Sequence, residues 1–404
     1  MKKALLASGL ALLATATHAA DFTFQGAQVD LYGDLVVGAF DDMALYQSAG
    51  RERQMKFAHA LIGADAHHRL SGWGGVIELN LAVDEPKVDP SNQVYTDYYK
   101  NLGADLYYYG DLPRKNAYLR YANGSHTLRF GRMENVHGFD PDSLPYWGRW
   151  GSPHMLYLDK GLNTGIAYRY EHRGLALDGF VFMGQDRPDR GGNYYLNGQT
   201  DPQTDGNSYP GYELKASYTL ERGSQRLTGF ASYHHDKTGS APGKLYSGKH
   251  NDERTAIGFD AQGSIPYVRG AYWHLIAQQG LYIEGLTEDG GQGRATPLES
   301  FDIEREGRFV TAGIGYGRVR LYYTHEELDR ADVEVWDKIA GFDPAHPAMD
   351  AKETNRSIQL SVQLTPSIEA VALYRTTDNP YPELSGIGRD HGDDRRALYL
   401  RARF

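Results

Sequence analysis

The chain has 404 residues, no cysteine and a formal net charge of −10. The missing thiols exclude disulfide scaffolds, thiolate metal sites and cysteine nucleophiles, and the acidic balance argues against a nucleic-acid partner, which would call for a basic face. Mean hydropathy is −0.56. Past the first residues no apolar run approaches the ~20 residues of a spanning helix, so any membrane crossing has to be made by strands.

The N-terminus, MKKALLASGLALLATATHAA, sets Lys2 and Lys3 before an apolar stretch from Ala4 to about Ala14, then small residues with Thr17 and Ala19 at the spacing of a signal-peptidase site. This predicts an exported protein with residues 1–20 as a cleaved signal peptide and 21–404 as one mature domain. An uncleaved anchor helix would need a longer apolar run. The 47 glycines, 30 tyrosines and 12% aromatic content suit a strand-and-turn protein with tyrosine girdles.

Period-two segments follow one another from there. AQVDLYGDLVVGAF places Val29, Leu31, Leu35 and Val37 on one face and Asp30, Tyr32 and Asp34 on the other. FAHALIGADAHHRL alternates Ala58, Ala60, Ile62, Ala64 and Ala66 with His59, Asp65, His67 and Arg69. A tight Ser71-Gly72 turn leads into WGGVIELNLAV, where Ile77, Leu79 and Leu81 oppose Glu78 and Asn80, and a long connection runs to about Arg114. NAYLRYANGSHTLRFGRM reads as two strands around Asn123-Gly124, a strong hairpin signal.

Further hairpins are predicted across Arg173-Gly174, Arg222-Gly223, Gly263-Ser264, Gly317 and Pro366. The segment around Tyr282 is the weakest strand pattern. RRALYLRARF ends the chain, with Leu398, Leu400, Ala402 and Phe404 on one side and Tyr399, Arg401 and Arg403 on the other. The pattern gives about sixteen strands with short and long connections alternating strictly, and leaves the first and last strands without partners unless they pair with each other. The expectation is an all-β fold: a closed antiparallel transmembrane β-barrel, short turns at the periplasmic end and long loops outside.

With the apolar faces turned to lipid, Arg69, Arg120, Arg129, Arg169, Lys215, Arg320, Arg375, Arg401 and Arg403 point inward, with Asp30, Asp34, Asp65, Glu78, Glu171, Glu213, Asp260 and Glu369. Ionised side chains need water or partners there, so the interior is expected to be hydrated. The two signs nearly balance, and ion preference is left to local placement.

NAYLRYANGSHTLRFGRMENVHGFDPDS, residues 116–143, resembles the hairpin preceding the constriction loop of Gram-negative general porins, with Gly131-Arg132 closing the strand. VDLYGDLVVGAF and the terminal Phe404 are similar to the same family. The resemblance implies a trimeric outer-membrane channel for small hydrophilic solutes, with no enzymatic activity and no cofactor, in contact with lipid and lipopolysaccharide. It implies further that the third long loop, 133 to about 162, folds into the lumen. Its acids Glu134, Asp140 and Asp142 would then face a basic wall of Arg120, Arg129 and Arg169. The family's acidic loop motif is replaced here by a stretch carrying Tyr146, Trp147, Trp150 and Tyr157. Those rings are candidates for stacking on sugars, which keeps a carbohydrate- or small-anion-selective pore beside general diffusion. They also suit plain packing of the loop on the wall.

Adhesin and hydrolase barrels are the remaining classes, and no Gly-x-Ser-x-Gly elbow supports the second. The pairs His67-His68 and His234-His235 point to opposite faces of their strands, which disfavours a shared metal.

Overall fold

The computed structural model describes residues 21–24, 26–42, 52–68, 70–80, 114–138, 162–183, 210–238, 250–263, 266–283, 296–331, 352–378 and 395–404. Seventeen strands run through them: β1 (Asp21–Phe24), β2 (Ala27–Asp42), β3 (Glu52–His68), β4 (Trp73–Asn80), β5 (Arg114–Asn123), β6 (His126–Glu134), β7 (Leu162–His172), β8 (Leu175–Met183) and β9 (Pro210–Arg222). The order continues with β10 (Gln225–Thr238), β11 (His250–Gln262), β12 (Pro266–Ile283), β13 (Thr296–Tyr316), β14 (Val319–Ala331), β15 (Lys352–Thr365), β16 (Ile368–Asp378) and β17 (Arg395–Arg403).

From β2 to β17 each strand pairs antiparallel with the next, and β17 returns to β2 with Ala397 opposite Phe40 and Arg403 opposite Asp34. The cylinder therefore closes with sixteen strands, which leaves no open edge along its wall. All seven hairpins fall where the turn residues place them. At the β7–β8 turn Arg173 takes a positive φ of 47° and Gly174 one of 84°. A Cβ on Gly174 would lie 2.3 Å from the Thr219 carbonyl oxygen, so glycine is required there by contact as well as by backbone.

One strand was not legible from alternation. β1, only four residues long, pairs with Ala27–Asp30 of β2 on the edge that β17 does not reach. Phe404 closes the gap above it: Gly33 donates its amide to the Phe404 carbonyl at 2.8 Å, and Phe404 donates back to Gly33 at 3.1 Å. Asp21 and Phe404 thus lie on the short-turn side.

The outward face is apolar as the alternation requires. Ile77, Leu119, Ile166, Val181, Leu214, Ile257, Val310, Ile314 and Ile358 are all exposed, and Leu398 of the closing stretch is 63% exposed. Outward apolar residues run from Leu220 up to Tyr212 on β9, about 20 Å of wall once strand rise and tilt are combined. Above that band the outward residues become ionisable, with His235 paired to Glu253 at 3.4 Å and Glu327 paired to Arg308 and to His325. Lipid-facing charge is tolerated near an interface and costs about 2–4 kcal/mol at the midplane.

β12 and β13 run on well past the apolar pattern, pairing as far as Ile283 with Thr296 and taking in the weak segment at Tyr282. Above the bilayer, backbone pairing persists without any need for a greasy face, which is why periodicity fades there. Among the described residues no helix is long and apolar enough to cross a membrane.

Candidate functional site: the lumen face and the base of the third loop

The inner wall divides into two sectors. From β8 round to β17 its middle is buried almost everywhere: Phe180, Glu213, His234, Arg254, Arg269, Trp273, Glu326, Gln359, Arg375 and Tyr399 are all nearly inaccessible. The ionised groups there have local partners. Arg269 donates to Asp260 at 2.6 Å, and Arg401 grips Asp34 through two guanidinium nitrogens. Hydroxyls are satisfied in the same way, with Thr311 and Thr324 at 2.9 Å. Uncompensated charge in such surroundings would cost several kcal/mol, which fits the pairing.

The other sector spans β3 to β7 and keeps its contact with solvent. The Asp65, Arg120 and Arg169 side chains are 27%, 26% and 40% exposed. Glu78 is the buried exception, held by Tyr32 Oη at 2.6 Å and Asn116 Nδ2 at 2.5 Å. One side of the inner wall is therefore more exposed than the other.

The third loop turns inward at its base. β6 ends at Glu134, whose amide donates to Asn116 Oδ1 at 2.9 Å. The next residues then cross to the far side of β7 and β8. Val136 and His137 donate their backbone amides to Glu213 Oε2 on β9 at 2.6 and 3.2 Å, and Gly138 donates to Ser232 Oγ on β10 at 3.2 Å. Lys215 returns a hydrogen bond to the Gly138 carbonyl.

Glu213 faces the lumen, since Tyr212 and Leu214 on either side of it are exposed outward. Its second oxygen meets His234 Nδ1 at 2.6 Å, so one carboxylate ties a neighbouring strand to the loop. Beneath lies an apolar seat of Met133, Val136, Ala167, Phe180 and Phe182, with Tyr118 packed against it. A half-turned loop base would bury unpaired amides, and Glu213 removes that penalty. The first four loop residues thus lie inside the barrel.

Arg120, Arg129 and Arg169 lie on three successive inner strands. Arg120 sits opposite Arg129, and Thr127, two residues from Arg129, sits opposite Arg169. Their surroundings differ. Arg120 binds Asp65 at 2.7 Å. Arg169 takes Asp178 through Nη1 at 3.1 Å and Glu171 through Nε at 3.0 Å. Arg129 lies over the Tyr118 ring at 5.9 Å, and among the described residues no carboxylate holds it. Of the loop acids Glu134 is described, and Asp140 and Asp142 lie outside the described residues, as do Arg69 and the rings Tyr146, Trp147, Trp150 and Tyr157.

Sequence reasoning missed several inner-wall groups. Asp178 alternates with Leu177 and Gly179 and was readable from period two. Arg269, Trp273 and Glu326 were not, because segments such as YVRGAYW carry apolar side chains on both faces. Ser232 and His234 gain their role only from the loop that reaches them. His234 faces the lumen and His235 pairs outward with Glu253, so the two rings cannot share an ion. Among the described residues no three metal-ligating side chains come together.

No protein-family model matches the chain, and no curated protein matches its sequence. Solved structures match its shape. An anion-selective porin from Comamonas acidovorans superposes with a TM-score of 0.57 at 13% identity, covering 94% of this chain and 100% of that one. The outer membrane channel DcaP of Acinetobacter baumannii gives 0.58 at 14% identity, covering 95% and 100%. A trimer form of OmpT, an outer membrane protein of Vibrio cholerae, gives 0.54 at 11% identity, covering 94% and 99%. What this chain shares with these structures is the fold, that of outer-membrane porins, over nearly its whole length.

Proposed function

We propose that the chain is a bacterial outer-membrane porin, exported through the signal peptide in residues 1–20 and conducting small hydrophilic solutes passively through a water-filled pathway. The observation that carries this reading is the radial order of the wall. An apolar exterior surrounds an interior whose ionised groups are either paired or, from β3 to β7, open to solvent. Passive conduction requires only a pathway whose radius and charge sort the permeants, and no catalytic group is involved.

Association into trimers goes with this reading. Many outward side chains of β2 to β5, among them Leu31, Leu35, Ala64, Ala66, Gly75 and Ala117, are aliphatic or small, a surface on which a second copy can pack closely, with Trp73 and Tyr121 paired at its short-turn end. Contact with lipopolysaccharide belongs to the ionisable belt above the apolar band.

Purified protein added to a planar lipid bilayer is expected to give stepwise, ohmic current increments. Inserted, folded protein that carries no current would overturn the proposal in favour of an adhesin or enzyme.

A solute-selective form of the same role is favoured by the loop base on Glu213 and Ser232 and by the one-sided access. In that form Glu134, Asp140 and Asp142 face Arg120, Arg129 and Arg169, and Tyr146, Trp147, Trp150 and Tyr157 offer faces to a carbohydrate. Saturable block of the current by added maltose or glucose supports it, and unblocked current supports general diffusion.

A further inference from the structure

The inner wall carries nearly equal numbers of acids and bases, which by itself predicts little ion preference. Pairing changes that expectation, because a charge matched within about 3 Å by its opposite projects a weak field into the pathway, whereas an unmatched one projects its full field. Among the described inward positions of the accessible sector, three arginines concern the pathway, Arg120, Arg129 and Arg169. Arg120 is matched by Asp65 at 2.7 Å, and Arg169 by Asp178 and Glu171. Arg129, between them, has no carboxylate partner among the described residues. Its one ring contact, with Tyr118, leaves the charge in place.

The strand register fixes this. The residues opposite Arg129 are Arg120 on β5 and Ala167 on β7, neither of which can neutralise it, while Thr127 next along its own face is uncharged. The guanidinium therefore brings a whole positive charge to this point of the wall.

We infer that Arg129 is the residue that sets ion preference, making the pathway selective for small anions, carboxylates included, at the level of the β5–β7 arginines. This rests on the channel reading above and deepens it. The forked guanidinium can hold a carboxylate through two hydrogen bonds or a hydrated halide through one, and either contact replaces water that the anion sheds in passing.

The test is the reversal potential of single channels in a tenfold potassium chloride gradient. Wild-type protein is expected to favour chloride. Arg129→Gln is expected to lower the chloride-to-potassium permeability ratio about tenfold, because one unit charge felt about 6 Å away through water favours the anion and disfavours the cation by about threefold each. Arg129→Lys keeps the preference. The double change Arg308→Gln with Glu327→Gln removes a matched pair on the outward face and leaves the ratio within measurement error.

Thr127→Glu places a carboxylate beside Arg129 without touching it, and is expected to cancel the anion preference even if the glutamine variant fails to insert. A wild-type channel that favours potassium, or a ratio unmoved by both Arg129→Gln and Thr127→Glu, would overturn the inference while leaving a conducting channel. Absence of any current would strike the channel reading instead.

Discussion

The Val136 backbone amide donates to the Glu213 carboxylate at 2.6 Å, joining the base of the third loop to a strand that stands beyond β7 and β8. This bond and its neighbour from His137 turn the chain inward where β6 ends. Glu213→Ala leaves both amides buried and unpaired, a loss of about 1–3 kcal/mol for each group. The barrel wall does not depend on them, so the variant is expected to fold and insert. Its single-channel record should show greater open-state noise or a higher mean conductance than wild type. A record identical to wild type would mean that this anchor does not hold the loop.

Arg401 and Asp34 close the cylinder from the inside, in side chains only 6% and 13% exposed. Breaking a buried ion pair by removing one partner strands the other charge and costs about 3–5 kcal/mol. Arg401→Ala is therefore expected to lower the temperature at which the folded barrel converts to unfolded chain in detergent, read as a mobility change on unheated gels. Replacing both residues by apolar ones of similar volume is expected to recover much of that loss.

Ile257 sits midway up the outward face of β11 and is 61% exposed. Ile257→Arg would set a guanidinium against hydrocarbon, and the folding free energy in lipid vesicles is expected to fall by about 2–4 kcal/mol. Arginine is already present outward at Arg356, above the apolar band, so Arg356→Ala is expected to leave that free energy within about 1 kcal/mol. Equal effects at the two heights would contradict the assigned bilayer level.

Gly33 lies beneath the ring of Phe404. A Cβ there would come within 2.4 Å of the ring, so Gly33→Val must displace the terminal aromatic. Slower insertion into vesicles is expected, similar to that of a chain lacking Phe404. Normal insertion by the valine variant would show that the seated ring is not needed for assembly.

The alternation in residues 27–40 and 395–404, together with glycine and asparagine at the hairpin positions, was enough to predict a closed barrel and its direction. Those signals are local: side chains point to opposite faces every two residues, and a turn type needs particular φ values. β1 escaped because four residues carry too little periodicity to register. The upper parts of β12 and β13 escaped because pairing above the bilayer puts no demand on polarity.

Where a strand alternates cleanly, sequence by itself determined which residues face lipid and which face inward, because that choice follows from hydrophobicity at period two. Only the tertiary structure decided which inward charges are matched. Asp65 and Arg120 are 55 residues apart in the chain, and Asp34 and Arg401 are 367 apart. Their meeting depends on the stagger between neighbouring strands and on closure of the ring, and no local pattern encodes either. The same holds for Glu213, an ordinary inward acid in sequence, which becomes the anchor of the third loop through Val136, 77 residues earlier.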